Sequence, residues 1–127
     1  MIELKNIGKV YGKKSSTFTA LEDINLAIPD GASVAITGKS GSGKSTLMHV
    51  MSGLDHASTG SIKINGTSLL DMKQKAVDRF RATDMSFIFQ AFFIEPNQTC
   101  FQNVALPLEI AEVPRRKRKS MVRQALE

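Results

Sequence analysis

The stretch GKSGSGKST, Gly38 to Thr46, sets three glycines, two lysines, three serines and a threonine in nine positions. Such a composition suits either a flexible linker or a cradle for phosphate. The order decides between them, because Gly38, Gly43, Lys44 and Ser45 occupy the fixed places of the pattern G-x-x-x-x-G-K-[ST]. Backbone N–H groups must converge on phosphate oxygens, and glycines at 38, 41 and 43 allow the tight curvature and close approach this needs. A helix that starts at the end of the loop adds unpaired N–H groups and the positive end of its dipole. Lys44 brings a full charge to the β- and γ-phosphates of a nucleotide, and the Ser45 hydroxyl can ligate Mg²⁺. Lys39, Ser40, Ser42 and Thr46 complete the cradle. With glycine at about 7% of residues, the four fixed positions match by chance in fewer than about one chain in a hundred of this length.

The flanking elements support the cradle. SVAIT, Ser33 to Thr37, is apolar except at its ends, as expected of a strand buried on both faces of a parallel sheet. Beyond the loop, Leu47, Met48, Val50, Met51 and Leu54 recur at helical spacing, with Gly53 a plausible terminator. Ile2 and Leu4, then Ile24, Leu26 and Ile28, alternate with polar neighbours as in half-buried strands, and Gly12 to Thr17 between them is a polar loop. Asp30-Gly31 marks a turn. Asn65-Gly66 inside SIKINGTSLL is a strong hairpin signal. Residues 73–83 are helical in composition, and MSFIFQ, Met85 to Gln90, is a further apolar strand. From Thr99 onward two helices are expected, separated near Pro114, with Pro107 bending the first. The fold class is α/β with an antiparallel β element in front of a partial parallel sheet.

Bulk properties narrow the setting. The 127 residues suffice for one domain with a core, and 42% apolar with 23% charged residues is ordinary for a globular protein. No run approaches the ~20 apolar residues of a membrane helix, and the N-terminus has no signal-like apolar block. A lone cysteine, Cys100, excludes an internal disulfide and fits a reducing, cytoplasmic compartment. Much of the +5 net charge lies in RRKRK, Arg115 to Lys119. Met121, Val122, Ala125 and Leu126 follow at helical spacing, so the run begins an amphipathic helix, and a solvated helix face is favoured over a nucleic-acid patch. Cations on a first turn oppose the helix dipole, so this helix starts poorly. His49 and His56 have no partner at ligand spacing and receive no role.

A family resemblance then becomes specific. IELKNIGKVYG, ALEDINLAIPDG, the phosphate loop, GLDHASTGSIKING, FIFQAFFIEP and QNVALPLEI, in that order, resemble the N-terminal half of an ABC transporter nucleotide-binding domain. The resemblance is greatest to ATPase subunits that serve MacB-type, LolD-type and antimicrobial-peptide permeases. It implies a P-loop NTPase fold of the ABC type, with residues 1–95 forming the β element and P-loop core. Residues 96–127 would follow as the end of the Q-loop and the start of a helical subdomain. It also implies ATP and Mg²⁺ as ligands. Tyr11 takes the place of the aromatic residue that stacks on adenine, Gln90 that of the Q-loop glutamine that ligates Mg²⁺ or orients water, and Thr46 that of a residue reaching the α-phosphate. The segment after Gln90 is expected to meet a membrane-spanning permease, although AFFIEPNQTC departs from the commoner family form around Glu95 and Asn97, which leaves the identity of that permease open. ATP binding and hydrolysis coupled to export or extraction, on the inner face of the cell membrane, is the implied function of a complete protein.

Neither the signature segment LSGGQ, a strand-ending acid for Mg²⁺, a following catalytic Glu nor a switch His occurs up to Glu127. Asp55, Asp71, Asp78 and Asp84 do not end apolar strands. The expectation is therefore a truncated domain that binds ATP without turning it over, exposing apolar sheet or borrowing a partner such as a second copy. The alternative is a non-catalytic nucleotide-binding or oligomerisation module made of half the fold.

Overall fold

The computed structural model describes residues 1–13, 16–89, 91 and 93–127. The chain forms two compact units, Met1–Val77 and Asp78–Glu127.

The first unit is built on one antiparallel sheet. Its strands are β1 (Ile2–Lys13), β2 (Ser16–Ile28), β3 (Thr59–Ile64) and β4 (Thr67–Ser68), in the spatial order β2-β1-β3-β4. Leu4, Ile7, Leu21, Ile62 and Ile64 are its buried apolar side chains. The simple alternation of β1 breaks at Asn6, where φ is +51° and the pairing with both neighbours shifts register. Asp23 opposite has φ +46°. The Asn6 N–H donates to Asn25 Oδ1 (2.9 Å) and the Asn6 side chain to Asp23 Oδ1 (2.7 Å), so side chains satisfy the displaced backbone. The bulge inverts the phase of the strand. Before it Leu4 points inward, and after it Ile7 and Lys9 do.

Asn65-Gly66 joins β3 to β4 with φ +49° and +79°, the two positive values that a type I′ hairpin turn requires. The polar stretch 12–17, expected as a loop, is instead mostly ladder. Tyr11 pairs with Phe18, Gly12 with Thr17 and Lys13 with Ser16, while Lys14 and Ser15 lie outside the described residues. Cross-strand pairing outweighs the low strand propensity of these residues.

Helix α1 (Lys44–Met51) ends as its sequence suggests. Gly53 sits at φ +67°, its N–H bonds to Val50 O and that of Leu54 to His49 O, the paired bonds of a Schellman cap. A Cβ on Gly53 would lie 2.9 Å from Val77 Cγ1. Val77 belongs to α2 (Gln74–Asp84), the charged helix expected over 73–83.

The two expected buried strands are not strands here. Residues 33–37 and 85–89 carry no ladder partner among the described residues, and Val34, Ile88 and Phe89 are exposed. A strand exists only through a neighbour that accepts its hydrogen bonds, and apolar composition alone cannot supply one.

The second unit holds α3 (Cys100–Ile110) and α4 (Arg115–Leu126). Thr99 caps α3 reciprocally with Gln102, and the helix runs on through Pro107. The Asn103 side chain accepts from Glu95 N–H and donates to the carbonyls of Glu95, Gln98 and Thr99, tying the preceding turn to the helix. Pro114 opens α4, whose first turn has no acidic residue. Arg118 donates to Val113 O (2.6 Å) and Glu109 Oε1 (2.7 Å), tying α4 to the end of α3. Of the expected apolar face only Val122 is buried, and Met121 and Leu126 are exposed.

Gly53→Ala is expected to lower unfolding stability by about 1–2 kcal/mol, since alanine is strained at a left-handed φ. A lower urea midpoint at unchanged m-value is the outcome that checks it.

Candidate functional site

The phosphate-loop residues are brought together as expected. Gly43, at φ +86°, ends the loop and precedes α1, and no side chain caps the helix. The first-turn N–H groups of α1 therefore have no side-chain acceptor at the end of the loop, an arrangement that suits an anion. A Cβ on Gly43 would lie 2.7 Å from the Ala20 carbonyl oxygen and 3.2 Å from Leu21 Cδ2, so the loop rests directly on β2. Lys44 Nζ folds back across the loop, donating to the carbonyls of Gly38 (2.9 Å) and Lys39 (2.7 Å), with Ser42 Oγ at 3.5 Å. Residues 40–46, with Phe18 and Ala20 of β2, line a cavity of about 360 Å³. Ser45 is exposed on the first turn of α1, and Lys44 and Thr46 are half-buried.

A second cluster lies at the other end of α1. Lys9, only 8% exposed, donates through Nζ to Asp55 Oδ1 (2.6 Å) and to the His56 carbonyl (2.7 Å). The same ammonium stands 4.6 Å from the centre of the Tyr11 ring, a cation–π distance. Tyr11 donates its hydroxyl to Asp55 Oδ2 (2.7 Å). The His56 N–H donates to Asp55 Oδ1 at 2.7 Å.

These contacts set the acidity of the pair. Hydrogen bonding to the Asp55 carboxylate, then desolvation, raise the Tyr11 phenol above its ordinary value. For Asp55, desolvation pushes the carboxyl upward, but the bonds from Lys9, Tyr11 and the His56 N–H, with the Lys9 charge, outweigh it and hold the carboxyl at about 2.

Comparison with known proteins decides the family. The model of the ABC transporter family matches residues 21–127. The chain belongs to the ABC transporter family. It is 39% identical over 126 residues to a methionine import ATP-binding protein MetN of Latilactobacillus sakei, covering 99% of this chain and 36% of that protein. It is 40% identical over 116 residues to the bacitracin export ATP-binding protein BceA of Halalkalibacterium halodurans, covering 91% and 46%. With the lipoprotein-releasing ATP-binding protein LolD of Geobacter metallireducens it shares 34% over 126 residues, covering 99% and 56%. The post-hydrolysis dimer of the ATP-binding cassette MJ0796 with ADP and Pi superposes at TM-score 0.87 and 32% identity, covering 99% of this chain and 56% of that one. The chain thus spans from about a third to just over half the length of these relatives.

In this ABC chain the loop from Gly38 to Thr46 stands assembled against β2, and Thr46 lies near the Tyr11 hydroxyl. Gln90 lies outside the described residues. Three neighbours escaped the sequence reading. Lys9 and Asp55 hold Tyr11, and Phe18, the cross-strand partner of Tyr11, walls the loop cavity. Only the bulge at Asn6 could have signalled Lys9, by placing it on the inward face. The pairing of Tyr11 with Phe18 needed the ladder to be known.

Asp55 stabilises the fold in its charged form. Its folded value is depressed from 3.8, so the contribution is complete above that value and is lost as pH falls toward about 2. Asp55→Asn is expected to cost about 1–2 kcal/mol at neutral pH, with the partial exposure of the carboxylate allowed for. The gap between wild type and variant in urea unfolding should close between pH 4 and pH 2.

Proposed function

We propose that the chain carries the nucleotide-binding portion of an ABC transporter ATP-binding subunit. The loop Gly38–Thr46 takes the β- and γ-phosphates of ATP, and Tyr11 meets the adenine. The observation that carries this reading is the convergence of the Lys44 ammonium and the uncapped start of α1 on one loop. Lys44 bonds there to neutral carbonyls, and phosphate oxygens are stronger acceptors because the bond is then charged on both sides. Its side chain needs only to exchange partners within the loop.

The donor set suits Mg²⁺, which takes one or two protein oxygens and completes its shell with phosphate oxygens and water. The exposed Ser45 hydroxyl beside Lys44 is the first such oxygen, and Gln90 is proposed as the second. The ion, when bound, neutralises charge on the β- and γ-phosphates. Among residues 1–127, Asp55 is engaged by Lys9 and Tyr11, and Asp78 and Asp84 lie within α2. These residues therefore bind ATP without appreciable turnover.

In the complete protein, hydrolysis would drive a membrane-spanning permease from the cytoplasmic face. A relative at 38% identity, from Aggregatibacter actinomycetemcomitans, is a macrolide export ATP-binding/permease protein MacB. The exposed Phe93 and Ile94 support the segment after Gln90 as the permease contact. Pairing of two copies is proposed from the dimeric MJ0796 cassette. No helix among the described residues is long and apolar enough to cross a membrane.

The test titrates ATP into the chain and into Lys44→Ala, with and without Mg²⁺, following bound nucleotide and released phosphate. Binding that weakens about tenfold or more in Lys44→Ala, without phosphate release, is the expected result. A folded wild-type chain that takes up no ATP would overturn the proposal.

A further inference from the structure

We infer that Asp55 is a positioning residue for the nucleotide base, holding the Tyr11 ring in the place at which it meets a purine. The inference rests on the nucleotide reading given above and names a residue that acts through another.

Tyr11 is an unusual strand residue. A tyrosine that only packs buries its ring and lets its hydroxyl reach water. Here the residue is 39% exposed while its hydroxyl is tied down by Asp55 Oδ2 at 2.7 Å. An anchored hydroxyl, which lies on the axis of the ring, fixes the first side-chain torsion and the place of the ring, while the Lys9 ammonium over one face bears on the angle of its plane. Lys9 at 4.6 Å then covers one face, leaving the opposite face for a planar ligand.

Asp55 is itself well placed to hold this geometry. The N–H groups of Leu54 and Asp55 both bond to His49 O, so the residue is fixed to the end of α1. Its Oδ1 is occupied by Lys9 and the His56 N–H, which leaves Oδ2 directed at the phenol. Helix α1 thus carries Lys44 at its start and the turn to Asp55 at its end, and one rigid element spaces the phosphate contact from the base contact.

Phe18 provides the sharp alternative. It is the Cα partner of Tyr11, is 64% exposed and walls the loop cavity, but it has no polar tip by which to be held. If Phe18 were the ring that meets the base, Asp55 would be irrelevant to binding.

The experiment compares ATP with inorganic tripolyphosphate, which has the phosphates and no base, on the full chain as wild type, Asp55→Ala, Tyr11→Phe and the double variant. Circular dichroism checks folding, and Tyr11→Phe removes only one oxygen should Asp55→Ala prove unstable. Each single variant is expected to weaken ATP binding about three- to tenfold. The double variant should be no weaker than the worse single one, because both break the Tyr11–Asp55 bond, and Tyr11→Phe does so without unpairing Lys9. Tripolyphosphate affinity should hold throughout. Tyr11 is the only tyrosine and the chain has no tryptophan, so near-ultraviolet absorbance also reads its phenol directly. Its titration midpoint should fall toward 10.0 in Asp55→Ala.

Wild-type ATP affinity retained in both single variants would overturn the positioning role, as would an equal loss for tripolyphosphate. A wild-type chain that binds neither probe would overturn the nucleotide reading, and this inference with it.

Discussion

Gly43 meets β2 with no side chain between them, and the arrangement of the site follows from that contact. Because the space above the Ala20 carbonyl admits no Cβ, the backbone of the phosphate loop lies on the sheet itself. The start of α1 is thereby fixed relative to β2, and β2 is fixed to β1 by a ladder running from Ile2–Ile28 to Lys13–Ser16. A bulkier residue at 43 would lift the loop off the strand and separate Lys44 from Tyr11, although neither side chain had changed. The catalytic-looking residues of such a loop depend on a position whose contribution is the absence of a side chain.

The opposite end of α1 is held by charge. Lys9 is nearly buried, and an ammonium removed from water is costly unless acceptors surround it. It has two, the Asp55 carboxylate and the His56 carbonyl, with the Tyr11 ring as a third, weaker partner. Removing one member of such a group strands the others, so Lys9, Tyr11 and Asp55 behave as a unit. The sheet and the helix are joined at two points of opposite character, one of close backbone packing and one of polar contact.

Features written in local residue chemistry were legible in the sequence. The loop was readable because its glycines and lysine have fixed spacing, α1 because its apolar period ends at Gly53, and the hairpin because Asn65-Gly66 accepts two positive φ values. Features that depend on a distant partner were not. Residues 33–37 and 85–89 have the composition of buried strands, but a strand requires a neighbour. Gly12, Lys13, Ser16 and Thr17, polar residues of an expected loop, became ladder because Phe18 and Thr17 lay opposite Tyr11 and Gly12. Asp55 sits in the turn beyond α1 and gave no sign of its part, which exists only because the bulge at Asn6 turns Lys9 inward.

The two extended apolar segments have a colloidal consequence. An unladdered stretch with exposed Val34, and another with exposed Ile88 and Phe89, leave apolar side chains open to any chain that approaches. What opposes that approach at long range is the net charge of the molecule, +5 overall. Such repulsion reaches only about 8 Å at physiological ionic strength and less above it. Dispersal of the molecules in solution is therefore set by ionic strength. Added salt, which leaves the buried packing of the sheet nearly untouched, brings these apolar segments within reach of one another.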